Sequence, residues 1–218
     1  KLDEKKIYPI ENYGSAMTPF YSTLAIWVGA VVMAAMLKVT VADSTKKKLT
    51  NPKEHQLYIG RILLLIIIGF MQSALICLGD LFFLGIQCKH PVMFVLTGMF
   101  TSFVYVNLIY ALTVSFGDIG KAIAVVLMVM QVAGSGGTFP IQCAPKFFQV
   151  VYPLLPFTHS MNAMRECIAG FYGTTYATEL GKLAIFLVPS LLLGLLLRKP
   201  IIKMNDAFME KLESTHLI

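Results

Sequence analysis

The chain has 218 residues, 56% of them hydrophobic and 14% charged, with a formal net charge of +6. Its apolar runs are longer than a globular core helix needs, and the length left between them excludes a separate soluble enzyme domain. The basic residues lie in short strips beside those runs, not interleaved with aromatics on a soluble face, so nucleic acid is excluded as the reason for the charge.

A bilayer core of about 30 Å takes about 20 helical residues to cross, so a chain of this length holds five or six spans. The opening KLDEKKIYPIENYG lacks an initiator Met and is neither a signal peptide nor a targeting tract. The chain is therefore read as the C-terminal part of something longer. Residues 1–17 are read as an extracellular juxtamembrane segment, residues 18–199 as the membrane domain and residues 200–218 as a cytoplasmic tail.

The first span is expected over 18–37, with Thr18 as helix cap and Pro19 in the first turn. The second covers 57–84, the third 92–116, and the fourth 119–133 with Asp118 as N-cap. The last covers 180–197 and is kinked by Pro189. The fold class is thus all-α: a polytopic membrane helix bundle of five transmembrane helices plus one broken segment.

That segment, residues 136–173, carries Pro140, Pro145, Pro153 and Pro156 and an adjacent Arg165 and Glu166. A charge at the bilayer centre costs roughly 2.5–3.5 kcal/mol, whereas a Leu, Ile, Phe or Val returns only about 0.3–0.6. Two charges cancel on the order of ten apolar residues, and the prolines interrupt a backbone ladder that lipid cannot repair. The expected structure is an outer re-entrant helical hairpin at about 140–170, with short helices near 145–152 and 157–169. Gly134, Gly136 and Gly137 end the fourth span, and Gly170 stops the second short helix.

Sidedness follows from the short connections. Lys38, Lys46, Lys47, Lys48, Lys53 and Arg61 follow the first span, and Arg198, Lys199, Lys203 and Lys211 lie beyond the last. Both groups are placed in the cytoplasm. The N-terminal end of the chain, the 85–91 loop and the hairpin are then outside, and the SFGD turn is inside. This is a multi-pass protein of the cell membrane.

The soluble chemistries find no support. Gly120-Lys121 lacks the rest of a P-loop, since Ser115 stands where the first Gly belongs and Ala122 follows the Lys. GSGGT at 134–138 reads as a helix terminator, with ligand contact as the lesser alternative. His55, His90, His159 and His216 have no metal-ligand spacing, and no Ser/His/Asp or Cys/His constellation is present. No catalytic residue, cofactor or metal is expected.

The remaining candidates are polar residues at membrane depth. Gln72, Asp80, Asn107 and Gln131 lie in the expected spans and serve either a pathway or interhelical hydrogen bonds. Ala25 with Gly29, Gly69 with Ser73, and Gly98 with Ser102 favour close helix packing. The second short helix sets Met161, Met164 and Ile168 on one face and His159, Asn162 and Glu166 on another. Arg165 and Glu166 either line the outer mouth of a pathway or dock an extracellular domain, or else form an internal ion pair with interfacial snorkelling. Cys88, Cys143 and Cys167 fall on the outer side, where free thiols are the plain reading and Cys88 with Cys143 is the disulfide to test, although spacing does not specify connectivity. The basic loop 42–56, with Lys46, Lys47, Lys48 and Lys53, is either a plain positive-inside anchor or a docking surface for a cytoplasmic motor.

YPIENYGSAMTPFYSTLAIWVGA at 8–30, GD at 79–80, SFGDIGKAIAVV at 115–126 and QVAGSGGTFPIQCAPKFFQVVYPLLPFTHSMNAMRECIAG at 131–170 resemble the C-terminal membrane domain of the YhgE/Pip (phage infection protein) family. The resemblance covers nearly the whole chain, and that family is similar to the membrane domains of type-2 ABC exporters. It implies a further N-terminal span, a large extracellular domain, and a six-span unit that forms half of a homodimer. It makes residues 38–56 the loop that meets a separate ATP-binding subunit, since the chain carries no ATPase. It implies transport of an unknown substrate or, in another class, a cell-surface scaffold or receptor used by phage or by type VII secretion in Gram-positive bacteria.

Overall fold

The protein is described from a computed structural model, which covers residues 10–37 and 54–197. Lys46, Lys47, Lys48, Lys53 and the 200–218 tail lie outside the described residues. Among the described residues every regular element is a helix.

Helix α1 spans Tyr13–Met36. It starts earlier than expected because Asn12, not Thr18, caps it: the Asn12 side chain accepts the Ser15 N–H at 2.8 Å. Thr18 instead lies inside the helix and donates its hydroxyl to the Gly14 carbonyl at 2.9 Å. Pro19 therefore sits in the second turn, not the first.

Helix α2 spans Glu54–Phe82 and helix α3 spans Pro91–Phe116, with Pro91 in its first turn. One residue, Gly117, turns the chain into helix α4, Asp118–Gly134. Asp118 does not cap α4 as expected. It is the first helical residue, and its carboxylate takes Lys121 Nζ at 2.8 Å while Gly117 occupies the cap position.

After α4 come a 3₁₀ turn at Ile141–Cys143, helix α5 at Lys146–Val151, a second 3₁₀ turn at Tyr152–Leu154 and helix α6 at Pro156–Ala169. Gly170 ends α6 at φ 107°, a left-handed conformation that favours a residue without Cβ. Helix α7, Thr175–Ile185, and helix α8, Leu187–Leu191, run on into a π turn at Leu192–Leu197. The break falls at Phe186, three residues before Pro189, where a proline ring displaces the preceding turn.

Among the described residues, four helices are long and apolar enough to cross a membrane: Tyr13–Met36, His55–Phe82, Pro91–Phe116 and the composite Thr175–Leu195. The fourth expected span corresponds to α4. At 17 residues it is about 25 Å long, short of a full hydrocarbon core.

Helix α3 is the centre of the bundle and touches α1, α2, α4, α6, α7 and α8. Its Tyr105 is fully buried and meets the buried Trp27 ring edge-on at 4.7 Å, while Trp27 Nε1 donates to the Ala124 carbonyl at 3.2 Å. α1, α3 and α4 are thereby joined by one indole. The outer face of α2 presents Ile59, Leu63, Ile67, Met71, Leu75, Leu78 and Phe82 as a continuous exposed ridge. In water such a ridge is an aggregation liability; against lipid tails it is the expected surface.

Candidate functional site

Helix α6 is short, yet nearly all of it is buried, from Pro156 to Ala169, between α1, α3 and α7. Prolines at its start and Gly170 at its end prevent it from joining either neighbour. Its N-terminus has no cap from its own Leu155. Gln131, near the end of α4, supplies one: its Oε1 accepts the Phe157 N–H at 3.2 Å. The Gln131 Nε2 is left buried with no partner.

A polar network fastens α6 to α7. His159 Nδ1 lies 2.7 Å from Glu179 Oε2, and its Nε2 lies 3.0 Å from the Pro153 carbonyl. Both ring nitrogens thus face acceptor oxygens, one on α7 and one in the turn before α6. Lys182 Nζ reaches Glu179 Oε1 at 2.8 Å. Asn162 donates to the Tyr152 hydroxyl at 3.2 Å and faces Glu179 Oε2 at 3.5 Å, and Arg165 donates to Asn162 Oδ1 at 3.2 Å. His159 is 4% exposed and Glu179 7%, so this pair is buried, while Lys182 carries the network out to the surface. A carboxylate there is satisfied by several donors, as a low-dielectric site requires.

Glu166, which the sequence placed on the same face, also bonds to the loop that follows α6. Its Oε2 accepts the Tyr172 N–H at 2.7 Å, closing the turn after α6. Met161, Met164 and Ile168 pack into the core as their spacing indicates.

The other polar candidates serve separate joints. Gln72 donates to the Ala25 carbonyl at 3.2 Å, linking α2 to α1. The Asp80 carboxylate accepts the Ser22 hydroxyl, a second link between the same helices. Asn107 bonds back to the Phe103 carbonyl of its own helix at 2.7 Å. The structure thus does not gather Gln72, Asp80, Asn107 and Gln131 into one site.

The cysteines carry no disulfide in this structure. All four are free thiols: Cys77 and Cys167 are buried, Cys88 is half-buried and Cys143 is exposed. Cys88 lies not at Cys143 but against Cys167, with Sγ 3.5 Å from the Cys167 carbonyl. Cys143 sits on the 3₁₀ turn beside a cleft of about 280 Å³ lined by Ala133, Gly136 and Phe139.

Glu179 and Lys182 on α7 repeat the spacing of His159 and Asn162 on α6, and sequence reading left that repeat unused. Each pair is spaced i, i+3, one on α6 and one on α7, so each shares a helix face. Nothing in that spacing says that the two faces meet. Among the described residues no group of three or more His, Cys, Asp or Glu is placed to hold a metal. The arrangement shown holds helices together and presents no nucleophile with a base.

Residues 4–196 match the family model described as ABC-2 family transporter protein. The chain is 28% identical over 170 residues to the uncharacterized protein YhgE of Bacillus subtilis (strain 168). That alignment takes in 78% of this chain and 21% of the relative, so the matched part spans about a fifth of the relative's length. No solved structure matches.

Proposed function

This chain belongs to the ABC-2 family of transporter proteins, and from that premise we propose that it is the membrane-spanning part of an exporter-like assembly that moves or gates an amphiphilic or cell-envelope substrate. The observation that carries the reading is α6: a 14-residue broken helix buried among helices long enough to cross the bilayer and held to the last of them by His159 and Glu179. Broken helices at membrane depth persist only against protein or a wet cavity, and transporters build pathways from them.

In the finer reading α4 is a fifth span, completed by the segment just after Gly134, and residues at about 140–170 form the re-entrant outer hairpin. The N-terminal end of the chain lies outside and the C-terminus in the cytoplasm. Two copies form a homodimer, and a separate ATP-binding subunit docks on the loop with Lys46, Lys47, Lys48 and Lys53. The substrate's polar part would pass the joints made by Gln72, Asp80, Gln131 and Arg165.

The docking loop gives the test. Lys46, Lys47 and Lys48 are replaced by Gln, orientation is checked with terminal tags, and co-purifying proteins are identified. Loss of an ATP-binding partner supports transport. Unchanged partners and unchanged function support the other class, a cell-surface scaffold or receptor with no transport of its own.

A further inference from the structure

Of the four thiols, Cys88 and Cys167 lie far apart in sequence yet meet at the loop between α2 and α3. The backbone fixes them side by side. Lys89 N–H donates to the Ile168 carbonyl at 3.1 Å and His90 N–H to the Cys167 carbonyl at 3.0 Å, while Cys88 Sγ donates to that same Cys167 carbonyl. Cys167 Sγ rests 3.5 Å from Thr97 Oγ1, a position that a side-chain rotation can leave. Cys88 is partly exposed and Cys167 is fully buried, so one thiol can meet a reagent and the other can only meet its neighbour.

We propose that Cys88 and Cys167 are a redox modification site: they form a reversible disulfide that staples the 83–90 loop to the last turn of α6, made by exchange with an extracytoplasmic thiol–disulfide oxidoreductase in its disulfide form. The Cys88 thiolate attacks the oxidant's disulfide, giving a mixed disulfide and expelling one oxidant thiolate. The Cys167 thiolate then attacks the Cys88 sulfur and expels the second. The two cysteines lose two protons and two electrons, and the oxidant leaves as its dithiol. The location of the oxidant rests on the outward orientation proposed above; the pairing itself does not. Because α6 is the broken helix of the proposed pathway, the staple fixes its outer end to the start of α3.

The full chain, purified in detergent, is treated with oxidised glutathione at alkaline pH, because burial holds the Cys88 thiol above its ordinary range. It is quenched with N-ethylmaleimide and mapped by non-reducing peptide mass spectrometry. The expected product joins Cys88 to Cys167, raises the thermal unfolding midpoint by about 5 °C or more, and reverses with dithiothreitol. Cys143→Ser and Cys77→Ser keep the link; Cys167→Ser loses it. Should Cys167→Ser fail to fold, Cys88→Ser at the half-exposed loop serves in its place. A stable glutathione adduct on Cys88 with Cys167 still alkylatable, or a link from Cys88 to Cys77 or Cys143, overturns the proposal. In intact cells carrying Cys143→Ser, reaction of Cys88 with a membrane-impermeant maleimide supports the named oxidant. If Cys88 is protected there while the link still forms in detergent, the orientation and the oxidant fall and the pairing stands.

Discussion

His159 of α6 and Glu179 of α7 are 2.7 Å apart in the interior of the bundle, and this contact fastens the broken helix to the composite span that follows it. Removing one partner leaves the other buried without its counterpart, which costs about 3–5 kcal/mol in globular interiors. Interhelical hydrogen bonds in membranes average only about 0.6 kcal/mol because the unfolded reference also finds partners. Here a charge with several donors is involved, so Glu179→Ala should cost about 2–3 kcal/mol. His159→Ala should cost a similar amount, and the double variant should cost clearly less than the sum. Thermal or denaturant unfolding in detergent measures this, and simple additivity would refute the coupling.

A Cβ on Gly29 would overlap the Gln72 side-chain amide. The obstructing group is the end of a flexible side chain, so Gly29→Ala displaces Gln72 from the Ala25 carbonyl and should cost about 1–2 kcal/mol. In a Gln72→Ala background the same substitution should be close to neutral. Gly60→Ala, where nothing lies within 4 Å of the new methyl, is the control and should change stability little.

Gly120 presents a stiffer obstacle. A Cβ there would run into the Leu112 carbonyl, a backbone atom one helix away across the Gly117 turn. No rotamer relieves that contact, so Gly120→Ala must push α4 off α3 and should cost more than Gly29→Ala, about 2–4 kcal/mol. Lys121→Gln next to it should be nearly silent in stability, because the Lys121–Asp118 pair is at the surface. Equal effects of the two changes would show that the glycine is not needed for helix approach.

Among the cysteines, only Cys143 is exposed, and Cys167 is fully buried. In intact cells a membrane-impermeant maleimide should therefore label Cys143 quickly and leave Cys167 unmodified until the protein is denatured. Both would label if their side of the membrane alone decided. Labelling of Cys143 only after permeabilisation would place the hairpin in the cytoplasm and reverse the proposed orientation.

Much of the helix plan was readable because its signals are local. The 26 residues of α3 and the long run of α2 need only their apolar length, and Pro91, Gly117 and Gly170 mark ends through their own backbone preferences. The Thr18 cap misplaced the start of α1 because Asn12 offers the same chemistry one turn and a half earlier, and nothing local separates the two. The candidate site was legible only as a set of polar residues. Gln72, Asp80 and Gln131 each bond to another helix, whereas Asn107, equally polar and equally deep, bonds to its own.

The sequence by itself determined that this is a helical membrane protein and that its proline-rich stretch is broken, because composition, run length and proline act residue by residue. Tertiary structure alone decided that α6 is enclosed by α1, α3 and α7, that His159 finds Glu179, and that Cys88 lies at Cys167 and not at Cys143. Those are choices of partner between surfaces distant in the chain. Many polar side chains could satisfy one another there, and only the packed arrangement of the helices brings particular ones within 3 or 4 Å.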